Sequence, residues 1–90
     1  MDTTLNDLDE LNARLQEETA MVLYFSSPSC NVCHVLRPKL MQELEQAYPA
    51  IGRYHADIAL TPEIAAQFQV FSAPTIIVFF EGREFIRKGR

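Results

Sequence analysis

The stretch MVLYFSSPSCNVC, at residues 21–33, decides how this chain folds. It opens with a continuously apolar run from Met21 to Phe25, which is typical of a strand buried on both faces of a sheet. Serines and a proline end that strand, and a helical pattern of apolar residues then runs from near Cys30 to about Tyr48. The junction between the predicted strand and the predicted helix therefore carries a C-x-x-C motif.

The position of the two cysteines suits thiol–disulfide exchange. Cys30 is expected in the opening turn of the helix, where unpaired backbone N–H groups and the helix dipole favour an anion. A free thiol has a pKa of roughly 8.5, and such a site lowers it by about one to several units. Cys33 lies one helical turn further on, so the two sulfurs can close a disulfide. One thiol can then attack a substrate disulfide, and its neighbour can displace the mixed disulfide.

The remaining pattern predicts an α/β domain with one mixed sheet. Apolar residues at three- and four-residue steps predict a first helix over roughly residues 4–18, with Thr4 and Asp7 as its capping pair. A short helix is expected to start at Thr61. Further strands are predicted at residues 52–58, 75–80 and 84–88. The order α-β-α-β-α-β-β gives a four-stranded sheet flanked by helices, with a parallel crossover pair and a final antiparallel hairpin.

Composition and charge restrict the function. The chain has 90 residues, of which 48% are hydrophobic and 22% charged, as is ordinary for one folded domain, expected to span residues 1–90. The net charge of -4 gives no basic stripe of the kind that nucleic-acid binding needs. No apolar run approaches the roughly 20 residues of a membrane helix, and no targeting segment is visible. We therefore expect a cytoplasmic protein that binds neither nucleic acid nor a membrane.

Over essentially its whole length the chain resembles the thioredoxin family. The resemblance rests on the C-x-x-C motif after an apolar strand, on Pro38 five residues past the second cysteine, and on Asp57 near the end of the second strand. The run Ala73-Pro74-Thr75 before the third strand and the Glu81-Gly82 hairpin also fit. The family membership thus suggested implies a thioredoxin-like fold and a protein disulfide oxidoreductase activity.

The resemblance also implies roles for particular residues. Cys30 would be the exposed nucleophile, and Cys33 would be the buried resolving thiol. Pro74 would follow a cis peptide bond and face the cysteine pair, and the backbone around Ala73 and Pro74 would bind the substrate peptide. The partners would be disulfide-containing protein substrates and an upstream reductase, with no cofactor and no metal.

This sequence differs from the family pattern near the cysteines and at its C-terminal end, and these differences lead to further expectations. Tyr24 stands six residues before the first cysteine, where the family often has a buried acid, so we expect Cys33 to lack its usual proton acceptor. His34, four residues past Cys30, is either a solvated histidine or a group that helps to hold a Cys30 thiolate. Tyr24 and His34 are therefore candidate modulators of the cysteine pKa values. The family's usual C-terminal helix is expected to be absent.

Other uses of the cysteines stay open at this point. C-x-x-C followed by His34 is also the haem-attachment signature of c-type cytochromes, and the two cysteines with His34 and His55 could form a zinc site. The pair could also be structural, and His55, on the polar side of its strand, could be a solvated histidine. We predict an oxidoreductase that uses Cys30 and Cys33. The alternative is a thioredoxin-like partner-binding module whose cysteine pair is silent or only senses redox state.

Overall fold

The computed structural model describes residues 2–89 and arranges them as an α/β fold, as predicted. The strands are β1 (Thr3–Thr4), β2 (Ala20–Ser26), β3 (Gly52–Asp57), β4 (Thr75–Phe80) and β5 (Arg83–Gly89). The helices are α1 (Leu8–Glu17), α2 (Cys33–Ala47) and α3 (Pro62–Gln67). The sheet thus has one strand more than the four that the sequence predicts, because a short strand precedes the first helix.

The five strands form one mixed sheet in the order β1-β3-β2-β4-β5. β1 and β2 both run parallel to β3, whereas β4 is antiparallel to β2 and β5 is antiparallel to β4. β2 lies at the centre, and every residue from Met21 to Ser26 is buried. This position confirms the interpretation of the apolar run as a strand covered on both faces.

The N-terminal segment differs from the sequence prediction. Thr3 and Thr4 do not start the first helix but form β1, which pairs with β3 at the edge of the sheet. α1 begins at Leu8 instead, because Asp7 keeps an extended backbone and its carboxylate accepts a hydrogen bond from the Glu10 amide at 2.8 Å. Asp7 is therefore the N-cap of α1, and Thr4 is a strand residue instead of part of the cap.

Helices cover the two faces of the sheet. α1 and α3 pack on one face, where a cluster of buried apolar side chains joins them to the central strands. Large and fully buried members of this cluster are Leu11, Phe25, Ile64, Ile77 and Phe79. α2 covers the other face, where Tyr24, Met41 and the two cysteines form a smaller cluster. The cysteine motif therefore rests on the face of the sheet that α2 covers.

The C-terminal part of the chain is a β-hairpin. β4 and β5 are joined through Glu81 and Gly82, whose φ values of 52° and 79° are those of a turn that matches the twist of the strands. The whole of β5 is exposed and runs to Gly89, the last described residue, so the expected absence of a C-terminal helix stays a prediction. Within residues 2–89, none of the helices has the length and apolar character needed to cross a membrane.

The cap of α1 can be tested with a matched pair of variants. Asp7→Ala removes the hydrogen bond to the Glu10 amide and should lower the free energy of unfolding by about 1 kcal/mol in urea denaturation. Asp9→Ala removes a carboxylate from the same turn without removing that bond, so it should have a smaller effect. Equal losses of stability in the two variants would contradict the assignment of Asp7 as the cap.

Candidate functional site

The two cysteines lie between the end of β2 and the start of α2. A turn follows β2, and in this turn the Cys30 amide donates to the Ser27 carbonyl oxygen at 3.1 Å. α2 begins at Cys33, so Cys30 precedes the helix instead of lying in its first turn as the sequence predicts. The two sulfurs form a disulfide with a Cα–Cα distance of 5.5 Å, as their spacing suggests.

The start of α2 nevertheless directs a backbone donor at Cys30. Val32, the N-cap residue, supplies no side-chain cap, and the first turn contains no acidic residue. The Cys33 amide donates to Cys30 Sγ at 3.3 Å. Because this N–H group and the helix dipole both favour negative charge at the sulfur, they would stabilise a Cys30 thiolate in the reduced protein.

A groove of about 270 Å³ borders Cys30. Residues 29–32 line one side of the groove, and Ala73 and Pro74 line the other. The Ala73–Pro74 peptide bond is cis, which confirms the sequence prediction. The fold thus brings Cys30 together with the two loop residues that the family resemblance assigns to substrate binding.

The expected contrast in exposure between the two cysteines is wrong for the disulfide form. Cys30 is 8% exposed and Cys33 is 6% exposed, because the bond draws both sulfurs to the same edge of α2. The two residues differ instead in what they border. Cys30 borders the groove, whereas Cys33 borders a separate polar cavity on the other side of the motif.

The polar cavity has a volume of about 400 Å³ and is formed where β2, β3 and the start of α2 meet. Its polar and titratable lining includes Ser26, Cys33, His34, Arg37, His55 and Asp57. The Arg37 guanidinium binds the Asp2 carboxylate through two contacts, Nε to Oδ2 at 2.8 Å and Nη2 to Oδ1 at 3.2 Å. This ion pair joins the N-terminal segment to α2 beside the cavity.

His55 is the residue that the sequence analysis misplaced. It is only 7% exposed, although its strand pattern put it on a solvated side. Its Nε2 lies 2.5 Å from the Ser26 hydroxyl oxygen, and its Nδ1 lies 3.3 Å from the Thr4 hydroxyl oxygen. The error follows from β1, because placing Thr4 in a helix left no strand beside His55 on that edge of the sheet.

The surroundings of His55 favour its neutral form. Burial lowers the pKa of His55, and the Arg37 guanidinium lowers it further. Asp2 and Asp57 act in the opposite direction. With its pKa below the ordinary value of 6.5, the imidazole is neutral at pH 7 and one ring nitrogen can accept a proton.

Tyr24 lies beneath the cysteine motif and is fully buried in the same cluster as both cysteines. Its hydroxyl has no hydrogen-bond partner in the part of the chain that the structure describes. Burial raises the pKa of Tyr24, and the opposing attraction of Arg37 is the smaller effect. The phenol therefore stays protonated at neutral pH and cannot take a proton from Cys33.

His34 is exposed on the first turn of α2. It lines the polar cavity on the side of Cys33 and is not part of the lining of the groove at Cys30. Its suggested influence on the Cys30 thiolate stays a prediction. As for the zinc alternative, residues 2–89 contain no group of three or more His, Cys, Asp and Glu side chains placed to hold a metal ion.

A sheet of this order, with C-x-x-C between β2 and α2 and a cis-proline before β4, defines a thioredoxin-type domain. The thioredoxin family model matches residues 3–89. The chain belongs to the thioredoxin family. The fold and the cysteine pair together support a role of the thiol–disulfide oxidoreductase kind.

Named relatives are similar over most of the chain. Thioredoxin-like protein YdfQ of Bacillus subtilis is 33% identical over 88 residues, which cover 98% of this chain and 78% of that protein. Mitochondrial thioredoxin-3 of Saccharomyces cerevisiae is 28% identical over 81 residues, which cover 90% of this chain and 63% of the yeast protein. The crystal structure of that yeast thioredoxin in its oxidized form matches with a TM-score of 0.89 at 26% identity, over 97% of this chain and 81% of the other.

The amide contact at Cys30 predicts the order in which the reduced cysteines react. A brief pulse of iodoacetamide at neutral pH should label Cys30 roughly tenfold more than Cys33, because the thiolate is the reactive form and a pKa lower by one unit gives about ten times as much of it. Fragment-ion mass spectrometry would locate the label. In the urea-unfolded protein, which serves as the control, both cysteines should react equally. Equal labelling in the folded protein would contradict the predicted difference between the thiols.

The burial of neutral His55 predicts a pH dependence of stability. Above pH 6.5 both states hold the imidazole neutral, and as the pH falls below that value the unfolded chain takes up the proton first. His55 therefore lowers the free energy of unfolding progressively below about pH 6.5, an effect that His55→Gln lacks. The oxidised wild type and variant are unfolded in urea at pH 7 and at about pH 5. The free energy of unfolding of the wild type minus that of the variant should be smaller at the lower pH. A difference that is constant or larger at the lower pH would contradict the burial of a neutral histidine.

Proposed function

We propose that this protein is a thiol–disulfide oxidoreductase that reduces disulfides of protein substrates through Cys30 and Cys33. The observation that carries the proposal is the Cys33 amide directed at Cys30 Sγ at 3.3 Å, beside the groove that Ala73 and Pro74 border. A backbone donor at this sulfur favours the thiolate, which is the form that attacks disulfides.

In the proposed reaction, the Cys30 thiolate attacks one sulfur of a substrate disulfide. A mixed disulfide forms, and the first substrate thiolate leaves and takes up a proton from water. Cys33 then attacks the Cys30 sulfur, which closes the Cys30–Cys33 disulfide and releases the second substrate thiolate. Two electrons pass from the dithiol to the substrate, and an upstream reductase restores the dithiol.

The groove at Cys30 supports a polypeptide as substrate. Ala73 and Pro74 lie across it from residues 29–32, and we assign these two residues to the docking of a substrate segment beside the sulfur. Phe71 precedes them on the same loop and is 86% exposed, which offers an apolar contact to a protein partner. We further propose that residues 1–90 act as a single domain and that the compartment is the cytoplasm, where reduction is the favoured direction.

An insulin-disulfide reduction assay with dithiothreitol tests the proposal. The wild-type protein should accelerate reduction above the dithiothreitol background, and Cys30→Ser should return the rate to that background. Cys33→Ser should instead accumulate a mixed disulfide between Cys30 and the substrate, visible by mass spectrometry before and after reduction. A wild-type rate equal to the background would refute the oxidoreductase proposal and favour a binding module with a silent cysteine pair.

A further inference from the structure

We propose that His55 is the proton acceptor for the Cys33 thiol when Cys33 attacks the mixed disulfide on Cys30. The proton would cross the polar cavity, which both side chains border. This inference rests on the proposed function, since it assigns a role in the second step of that reaction.

The geometry of the polar cavity carries the proposal. The cavity has a volume of about 400 Å³, which is room for water, and although more of its surface is apolar than polar, Ser26, His55 and Asp57 offer such water hydrogen-bond partners. The Ser26 hydroxyl, 2.5 Å from His55 Nε2, borders the same cavity and can both accept and donate a hydrogen bond. In this proposal, bridging water and the Ser26 hydroxyl would carry the proton from the thiol to a ring nitrogen.

The charges around the cavity suit an acceptor that is neutral at rest. The titratable and charged groups near His55 are Asp2 from the N-terminal segment, Tyr24 from β2, Asp57 from β3, and His34 and Arg37 from α2. The Arg37 charge, which disfavours a second cation nearby, is only partly offset by its two contacts with Asp2. Asp57 is fixed by the amides of Ala59 and Leu60, which donate to its carboxylate at 2.8 Å and 3.3 Å. The carboxylates would therefore stabilise the imidazolium once it forms.

The other titratable side chain beneath the motif does not compete for this role. Tyr24 stays protonated because it is buried, and its hydroxyl makes no hydrogen bond within residues 2–89. The expectation that Cys33 lacks a proton acceptor considered only the position of Tyr24. His55 comes from the neighbouring strand, where it is the register partner of Tyr24 and points to the same face of the sheet.

The Cys33 thiol gives its proton through the cavity to His55, which leaves a thiolate and an imidazolium. The Cys33 sulfur then forms a bond to Cys30 Sγ, and the bond between Cys30 and the substrate sulfur breaks. The substrate sulfur leaves with the bonding electron pair and takes up a proton from the imidazolium or from water, which restores neutral His55.

The test isolates the second step with a small disulfide. The reduced protein is mixed with dithiobis(nitrobenzoate), a small aromatic disulfide. In a first phase, Cys30 should attack this disulfide and release one coloured thionitrobenzoate, while the second thionitrobenzoate stays bound to Cys30 as a mixed disulfide. Attack by Cys33 then releases the second thionitrobenzoate in a slower phase, whose rate is followed by stopped flow from about pH 5 to about pH 8.

Wild type is compared with His55→Gln, which keeps hydrogen-bonding groups but cannot take up a proton. Arg53→Gln, two residues earlier on β3 and outside the lining of the polar cavity, is the matched control.

The proposal predicts different pH profiles for the second phase. In wild type and Arg53→Gln, the rate of the second phase should rise with pH as His55 loses its proton, which happens below pH 6.5. At higher pH the rate should be constant. In His55→Gln the rate should be at least about tenfold lower at pH 7 and should rise about tenfold per pH unit, because hydroxide must then remove the proton. The first phase, which involves Cys30, should change little.

Three results would overturn the inference. The first is an equal second-phase rate and slope in wild type and His55→Gln. The second is a slower His55→Gln protein that keeps the wild-type inflection, since that shows a structural role only. The third applies even if His55→Gln does not fold, and it is a wild-type second-phase rate that still rises with pH between about pH 7 and pH 8, where His55 is already neutral. If no second thionitrobenzoate is released at all, the proposed function itself fails, which is a distinct outcome.

Discussion

The parallel pairing of β2 with β3 fixes which side chains lie beneath the cysteine motif. Its register sets Tyr24 opposite His55 and Ser26 opposite Asp57, and opposite residues of a parallel pair point to the same face of the sheet. These four side chains therefore lie on the face that α2 covers, beside the cysteine motif. A slip of one residue along β3 would turn His55 towards the apolar cluster under α1 and α3, where its ring nitrogens would have no polar partners comparable to Ser26 and Thr4.

The features that the sequence predicted correctly depend on local signals. The buried central strand follows from its unbroken apolar run, the disulfide from the spacing of Cys30 and Cys33, and the cis peptide bond from the family resemblance around Pro74. β1 could not be found in this way, because two threonines have no periodicity of their own and the pairing partner is some fifty residues away. The misplacement of His55 followed from that gap, since only the paired strand shows that its side chain is enclosed.

The two cysteines border different surfaces although both residues are buried. Cys30 borders the groove beside Pro74 and receives the Cys33 amide, an environment that favours a thiolate before substrate arrives. Cys33 borders the polar cavity, where a proton leaving its sulfur would meet Ser26 and His55 and not the substrate. Exposure in the oxidised state does not distinguish the two residues, because the disulfide holds both at the start of α2. The surface that each sulfur borders is the property that distinguishes them.

A buried histidine is also a less costly proton acceptor than a buried carboxylate. An ionised carboxylate loses its hydration on burial and either takes up a proton or weakens the fold, whereas a neutral imidazole carries no charge at rest. In this protein, hydroxyl groups of Ser26 and Thr4 lie at both ring nitrogens of His55, so burial leaves neither nitrogen without a partner. The positive charge would exist only while the proton is held, and Asp57 would partly offset the cost that burial and Arg37 impose on it. Tyr24 packs beneath the cysteines as a neutral phenol, so this position carries no buried charge.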